Sequence, residues 1–182
     1  MKSCRHCQAE NETCSHIIGY CPVVQDARIK RHNELCKLLA EEAKRKEWVI
    51  FQEPLLKDQQ NELFKPDLIS VKGDQAIVVD VTVRYESKET SLAGTAIEKV
   101  RKYQHLKSKV QELMNTTNFK FMGFPLGACG KWHQGNYELL ADLGLLNFRR
   151  DKVARCPSNR MVFTSVDIIH VFASQARSIV RS

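Results

Sequence analysis

No apolar run in this 182-residue chain approaches the ~20 residues of a membrane span, so no membrane partner is expected. The N-terminus, Met1-Lys2-Ser3-Cys4, lacks the apolar stretch of a secretion signal. Without such a signal the seven cysteines are expected to be reduced or metal-bound rather than paired in disulfides. There is no internal repeat and no low-complexity segment. Negative charge is in short supply: 21 Asp plus Glu stand against 28 Lys plus Arg, for a net charge of +7. That balance favours an anionic partner, nucleic acid first among them. What is present in quantity is apolar side chain, 43% of the residues, enough for one domain of ordinary size and a small appendage.

The appendage is expected at residues 1–22, rich in Cys and His and bounded by Cys21-Pro22, with the main domain over 23–182. Along that domain the pattern predicts a basic helix over 24–46 and a strand from Trp48 to Leu56. A hairpin follows, Leu68 to Val71 and Gln75 to Val83, turning at Lys72-Gly73-Asp74. A long helical pattern runs from Ser91 to Met114. A strand from Phe119 to Phe124 stops at Pro125-Leu126-Gly127. A helix from Lys131 to Leu143 ends on Gly144 as its cap. Arg149 to Arg160 reads as a basic loop. A last helix opens near Thr164 with Asp167 in a capping-box-like pair and runs through Val166, Ile169, Ala173 and Val180.

The N-terminal spacing is Cys4-x2-Cys7-x8-His16-x4-Cys21. Two cysteines two residues apart can grip one ion from a knuckle, and a His and Cys four apart can close the tetrahedron. Three thiolates and one imidazole make a structural zinc site. A segment this short has almost no core, so a metal would supply its folding energy. His6 and Cys14 are spare candidates.

The second constellation is acidic. The strand Gln75–Val83 is nearly continuous Ile and Val, as expected of a strand buried on both faces, yet it carries Asp80 in its middle. Asp67 opens the strand before it. A carboxylate in such a place needs compensation. Ala76, Val78, Asp80, Thr82 and Arg84 share one face of the strand. In the next helix, Leu92, Ala96, Lys99, Tyr103, Leu106, Val110 and Leu113 form one stripe, with Lys99 where an apolar residue would serve. A structural Asp80–Lys99 ion pair and a snorkelling lysine are two simple accounts. A third is chemical: two carboxylates on adjacent strands can hold magnesium or manganese, which activates water at a phosphate, with a lysine to stabilise the charge that develops.

Pro66-Asp67, twelve residues, then Asp80 resembles the core of the PD-(D/E)xK restriction-like nucleases, whose common order is α-β-β-β-α-β. The usual Lys two positions after the second acid is absent, and Thr82 stands there. Lys99-x3-Tyr103 resembles the variant in which that Lys has moved to the following helix. With the Cys4–Cys21 knuckle in front and Arg28-x2-Arg31-His32-Asn33 between, the order is similar to the C-terminal end of early-branching non-LTR retrotransposon proteins. These carry a restriction-like endonuclease after their reverse transcriptase. The resemblance covers roughly residues 4–125.

It implies an α/β fold: a restriction-endonuclease-like core with a small N-terminal zinc knuckle and C-terminal helices. It implies a Mg2+- or Mn2+-dependent endonuclease that nicks target DNA and leaves a 3′-hydroxyl to prime reverse transcription. Asp67 and Asp80 would be metal ligands, with Lys99 and Tyr103 catalytic. The implied partners are target DNA, template RNA as a second, and the reverse transcriptase region of the same polyprotein, in the nucleus. No polymerase segment is recognisable, so the chain would be a fragment or a separated or domesticated piece. The alternative is a nucleic-acid-binding module whose nuclease fold no longer cuts, and a third reading is a scaffold tethering a polymerase.

For nucleic-acid contact the candidates are Arg28, Arg31 and His32 on the first helix, and Arg149, Arg150, Lys152 and Arg155 of the basic loop. Glu34 and Glu42 read as solvated charges that could otherwise lend a third carboxylate. Trp132 and Tyr137 read as core residues.

Overall fold

The computed structural model describes residues 2–8, 11–86 and 90–179. After the knuckle helix α1 (Cys14–Gly19) and a 3-10 turn (Pro22–Val24) come α2 (Gln25–Lys44), β1 (Val49–Gln52), and the short pair β2 (Leu56–Lys57) and β3 (Leu63–Phe64). The chain continues through β4 (Leu68–Lys72), β5 (Gln75–Arg84), α3 (Thr90–Tyr103), a 3-10 turn (Gln104–Leu106) and α4 (Lys107–Met114). It closes with β6 (Asn118–Gly127), α5 (Asn136–Asp142) and α6 (Asn147–Ile179). The fold is mixed α/β with a Cys-rich N-terminal cluster.

The main sheet has four strands in the order β1-β4-β5-β6. The first three pair antiparallel, and β6 joins β5 in parallel through the α3–α4 crossover. The β4–β5 reversal needs only two residues because Gly73 takes a left-handed conformation, φ +57°. Strict alternation along β5 builds a core on each side of the sheet. Ile77, Val79 and Val81 pack with Leu35 and Leu39 of α2, Leu139 and Leu140 of α5 and Met161 of α6. Ala76 and Val78 pack on the opposite face with Ile69, Tyr103, Leu106 and Val110.

Several boundaries differ from expectation. The Trp48–Leu56 strand is interrupted where Glu53 turns with φ +47° ahead of Pro54, leaving β1 and β2. The Ser91–Met114 helix breaks into α3, a 3-10 turn and α4. Its stripe survives as buried Leu92, Tyr103, Leu106 and Val110, but Leu113 is exposed. The sixth strand runs on through Pro125 to Gly127, tolerable because β6 is an edge strand and a missing N–H there costs no ladder bond. The helix expected from Lys131 is only α5, since Trp132 bridges back to Leu126. Its end is as read. Gly144 has φ +84° and donates to the Ala141 carbonyl while Leu145 donates to Leu140, a Schellman closure.

The basic loop is the largest correction. Arg149, Arg150, Lys152 and Arg155 lie in helix α6, which begins at Asn147 and continues past Thr164. Buried Val153, Ala154, Pro157, Met161, Ser165, Ile168 and Phe172 give it one continuous inward face. Thr164 is no cap, for its hydroxyl donates to the Arg160 carbonyl within the helix. Val180 lies outside the described residues. None of the described helices is long and apolar enough to cross a membrane.

Candidate functional site

The knuckle is held by local chemistry. Thr13 caps α1, its hydroxyl accepting from the His16 N–H at 3.2 Å. This turns His16 toward the cysteines. Cys7 Sγ lies 3.2 Å from His16 Nε2, and Cys4 Sγ lies 3.9 Å from Cys21 Sγ. The donor atoms of Cys4, Cys7, His16 and Cys21 all lie within 4.8 Å of one another. Tetrahedral zinc with ~2.0–2.3 Å bonds sets its ligands about 3.3–3.8 Å apart, so these four side chains can hold one zinc. Burial works to raise the Cys4 thiol, but the backbone N–H groups of Cys7 and His6 and the side chains of Cys7 and His16 bring it down to about 6. Burial pushes Cys21 up to about 11, and the neighbouring Cys4 and Cys7 add to the rise. A dication would relieve that crowding of thiolates. The spare candidates serve otherwise. Cys14 is exposed, and the His6 ring meets Phe172 edge-on and its carbonyl at 3.1 Å.

Two arginines fasten this knuckle to the body. Arg28 donates to the carbonyls of Gly19, Tyr20 and Cys21. Arg31 is buried and donates to the Ile18 carbonyl at 3.2 Å and to Ser165 Oγ of α6 at 3.0 Å. Burial, with Arg28 nearby, lowers Arg31 to about 10, which still leaves it charged at neutral pH.

The acidic group forms where the sheet opens. Leu68 pairs with Val79, so continuing that register one step sets Asp67 opposite Asp80. Asp67 Oδ2 accepts from the Val81 N–H at 2.6 Å and lies 3.3 Å from His32 Nε2. Asp80 is 5% exposed, and Lys99 Nζ lies 2.7 Å from its Oδ1. That oxygen is buried, and the Lys99 ammonium is its ion-pair partner. Carboxylates are the donor type that hard divalent cations take, and the register sets these two across from one another. Tyr103 is buried, with its hydroxyl donating to the Lys65 carbonyl at 3.2 Å. Burial first, then Asp80, raises its phenol well above the usual range. Both Asp67 and Asp80 act on Tyr103 and on Cys36, so the two carboxylates share one neighbourhood.

Lys99 and His32 face a cleft of about 690 Å³, also lined by Arg28, Asn33, Glu53 and Thr82. A second cleft of about 400 Å³ opens on Asp67, His32 and Cys36. The Asp67 carboxylate, helped by Cys36 and opposed by burial, raises His32 to about 11. The helix α6 cations stand apart from these clefts. Arg149 is paired with Glu42 at 2.6 Å, while Lys152 and Arg155 are exposed. Glu34 pairs with Arg160 at 3.3 Å, so neither early glutamate joins Asp67. Trp132 packs between Phe124 and Tyr137.

Two residues of this site escaped sequence reading. Cys36 is one helical turn beyond His32, a spacing visible in the sequence. Glu53 falls opposite Asp67, its N–H donating to the Asp67 carbonyl at 2.9 Å, and only the strand register reveals it.

No family model matches the chain. A retrovirus-related Pol polyprotein from the type-1 retrotransposable element R2 of Popillia japonica is 33% identical over 147 residues, covering 79% of this chain and 20% of that protein. Another from Popillia japonica is 26% identical over 163 residues, 88% of this chain and 34% of that protein. One from Bradysia coprophila is 27% identical over 133 residues, 73% of this chain and 15% of that protein. The chain thus spans about a third or less of the length of these relatives. Over most of its own length it is homologous to one segment of the R2 Pol polyproteins.

Proposed function

We propose that this chain is a restriction-like DNA endonuclease segment of a retrotransposon protein, with residues 1–22 as its zinc knuckle and 23–182 as its nuclease domain. It nicks target DNA in the nucleus and leaves a 3′-hydroxyl for a reverse transcriptase region of the same polyprotein, with template RNA close by. The observation that carries the reading is the Lys99–Asp80 contact at 2.7 Å, with Asp67 one residue ahead of the neighbouring strand β4. The helix-strand-strand-strand-helix-strand succession of α2, β1, β4, β5, α3 and β6, with the short pair β2–β3 inserted after β1 and α4 after α3, supports it, as does the similarity to R2 Pol polyproteins.

Asp67 and Asp80 would hold magnesium or manganese, which supplies activated water and neutralises phosphoryl charge. The rest falls to the chain's own groups. Asp80 anchors Lys99, whose partly exposed ammonium can turn to a phosphate oxygen as negative charge builds there. Tyr103 borders Asp80 from the core side and is too buried to reach DNA itself. His32 and Asn33 line the approach, and Lys152 and Arg155 offer exposed charge for the DNA backbone.

A second reading, a binding module that no longer cuts, has one observation in its favour. Thr82 occupies the place of the usual lysine, and its hydroxyl oxygen is buried with no hydrogen-bond partner among the described residues. A plasmid-nicking assay with magnesium or manganese separates the two. The nuclease reading expects nicking by the parent, loss of at least a hundredfold in Asp80→Ala, and DNA affinity in that variant unchanged or higher. Lys99→Ala should lower the rate far more than affinity. No nicking by the parent with either metal gives the binding-module reading, while full activity in Asp80→Ala removes the acidic pair from the chemistry.

A further inference from the structure

We infer that His32, Cys36 and Asp67 form a second metal site, suited to a thiophilic divalent ion such as zinc, which draws on the same Asp67 as the acidic cleft and so makes that cleft zinc-sensitive. The last clause rests on the nuclease reading; the metal site itself does not.

Three donors of different kinds meet here. His32 and Cys36 project from successive turns of α2, and Asp67 comes from the mouth of β4. Nε2 of His32, Sγ of Cys36 and a carboxylate oxygen of Asp67 all lie within 4.8 Å of one another. Cys36 Sγ is 3.8 Å from the His32 ring nitrogens, and Asp67 Oδ2 is 3.3 Å from Nε2. These separations approach the spacing that zinc, with its ~2.0–2.3 Å bonds, imposes on its ligands.

The surroundings suit a ligand as well. His32 Nδ1 lies 3.4 Å from Asn33 Oδ1, an outer partner of the kind that leaves the other ring nitrogen for a metal. The donors sit on the wall of the 400 Å³ cleft, which leaves a path in and room for a water as fourth ligand. One imidazole, one sulfur and one carboxylate with an open position select zinc or cobalt over magnesium, which takes hard oxygen donors. The ion replaces two protons, the one His32 Nε2 holds between the Val81 carbonyl at 3.1 Å and Asp67 at 3.3 Å and the one on the Cys36 thiol, which leave to solvent. Asp67 is then committed to the soft ion and withdrawn from its partnership with Asp80.

The test uses the whole chain with its N-terminal cysteines first loaded with one equivalent of zinc. Cobalt(II) is then titrated in and its thiolate charge-transfer absorption followed. A second equivalent should bind with such a band. Cys36→Ser should abolish that band, and His32→Ala should weaken cobalt binding at least tenfold, in variants whose circular dichroism matches the parent. Binding of no second equivalent by the parent, or a band that persists in Cys36→Ser, overturns the site. In the nicking assay, micromolar zinc added over millimolar magnesium should inhibit the parent and spare Cys36→Ser. Equal inhibition of both overturns the regulatory clause. A cobalt band in a chain that never nicks leaves the metal site standing and removes the nuclease reading.

Discussion

His32 shows how one side chain is reset by its neighbours. An imidazole ordinarily titrates near pH ~6.5. Beside the Asp67 carboxylate it is raised to about 11. Because the folded value lies above the unfolded one, the stability from this pair is complete below about pH 6.5 and is lost as pH rises through about 11. With only the knuckle's zinc present, the His32 ring should show no titration by NMR between pH 6 and 9, while Asp67→Asn should return it to the ordinary range. A normal midpoint in the parent would mean that the pair does not form. The sequence revealed Asp80 and Lys99 because each breaks an apolar pattern. Cys36 and Glu53 break none, and only the approach of α2 and the β1–β4 register brings them to Asp67.

Helix α3 is set against the sheet by an absence of side chain. Gly123 of β6 lies opposite Asp80 in the parallel register, and a Cβ there would stand 2.6 Å from the Ala96 carbonyl oxygen and 2.7 Å from its Cα. Those are backbone atoms of α3, so the helix must move. Gly123→Ala should therefore cost about 1–3 kcal/mol of stability by urea denaturation. It should also carry Lys99, one turn beyond Ala96, away from Asp80. Unchanged stability would show that α3 has slack. The strands were legible here because period-two alternation survives burial: Ile77, Val79 and Val81 face α2 while Ala76 and Val78 face α3 and α4. Helix α6 was not, since Arg149, Arg150, Lys152, Arg155 and Pro157 imitate a loop. The inward stripe through Val153, Met161, Ile168 and Phe172 becomes decisive only once there is a surface to cover.

The whole molecule is joined across its sequence extremes. Cys4, Cys21 and Val24 pack with Ile168 and Phe172 of α6 in one small cluster. Removing the knuckle metal should therefore lower the thermal midpoint of the entire chain rather than melt a detached tip. A calorimetric scan with chelator that left the main transition in place would contradict this. If the cleft receives DNA, affinity should also fall steeply with salt, as Lys and Arg release condensed counterions.

The Arg31 anchor, between the Ile18 carbonyl and Ser165, lines the same cleft as Gly19 and Arg28. That placement makes the two ends of the knuckle's work a thermodynamic cycle. Whatever factor the N-terminal ion adds to the affinity of the cleft for a polyanion, the polyanion must add to the retention of the ion. If the cleft receives nucleic acid and the ion raises its affinity, an engaged chain would surrender its zinc to a chelator more reluctantly than a free one.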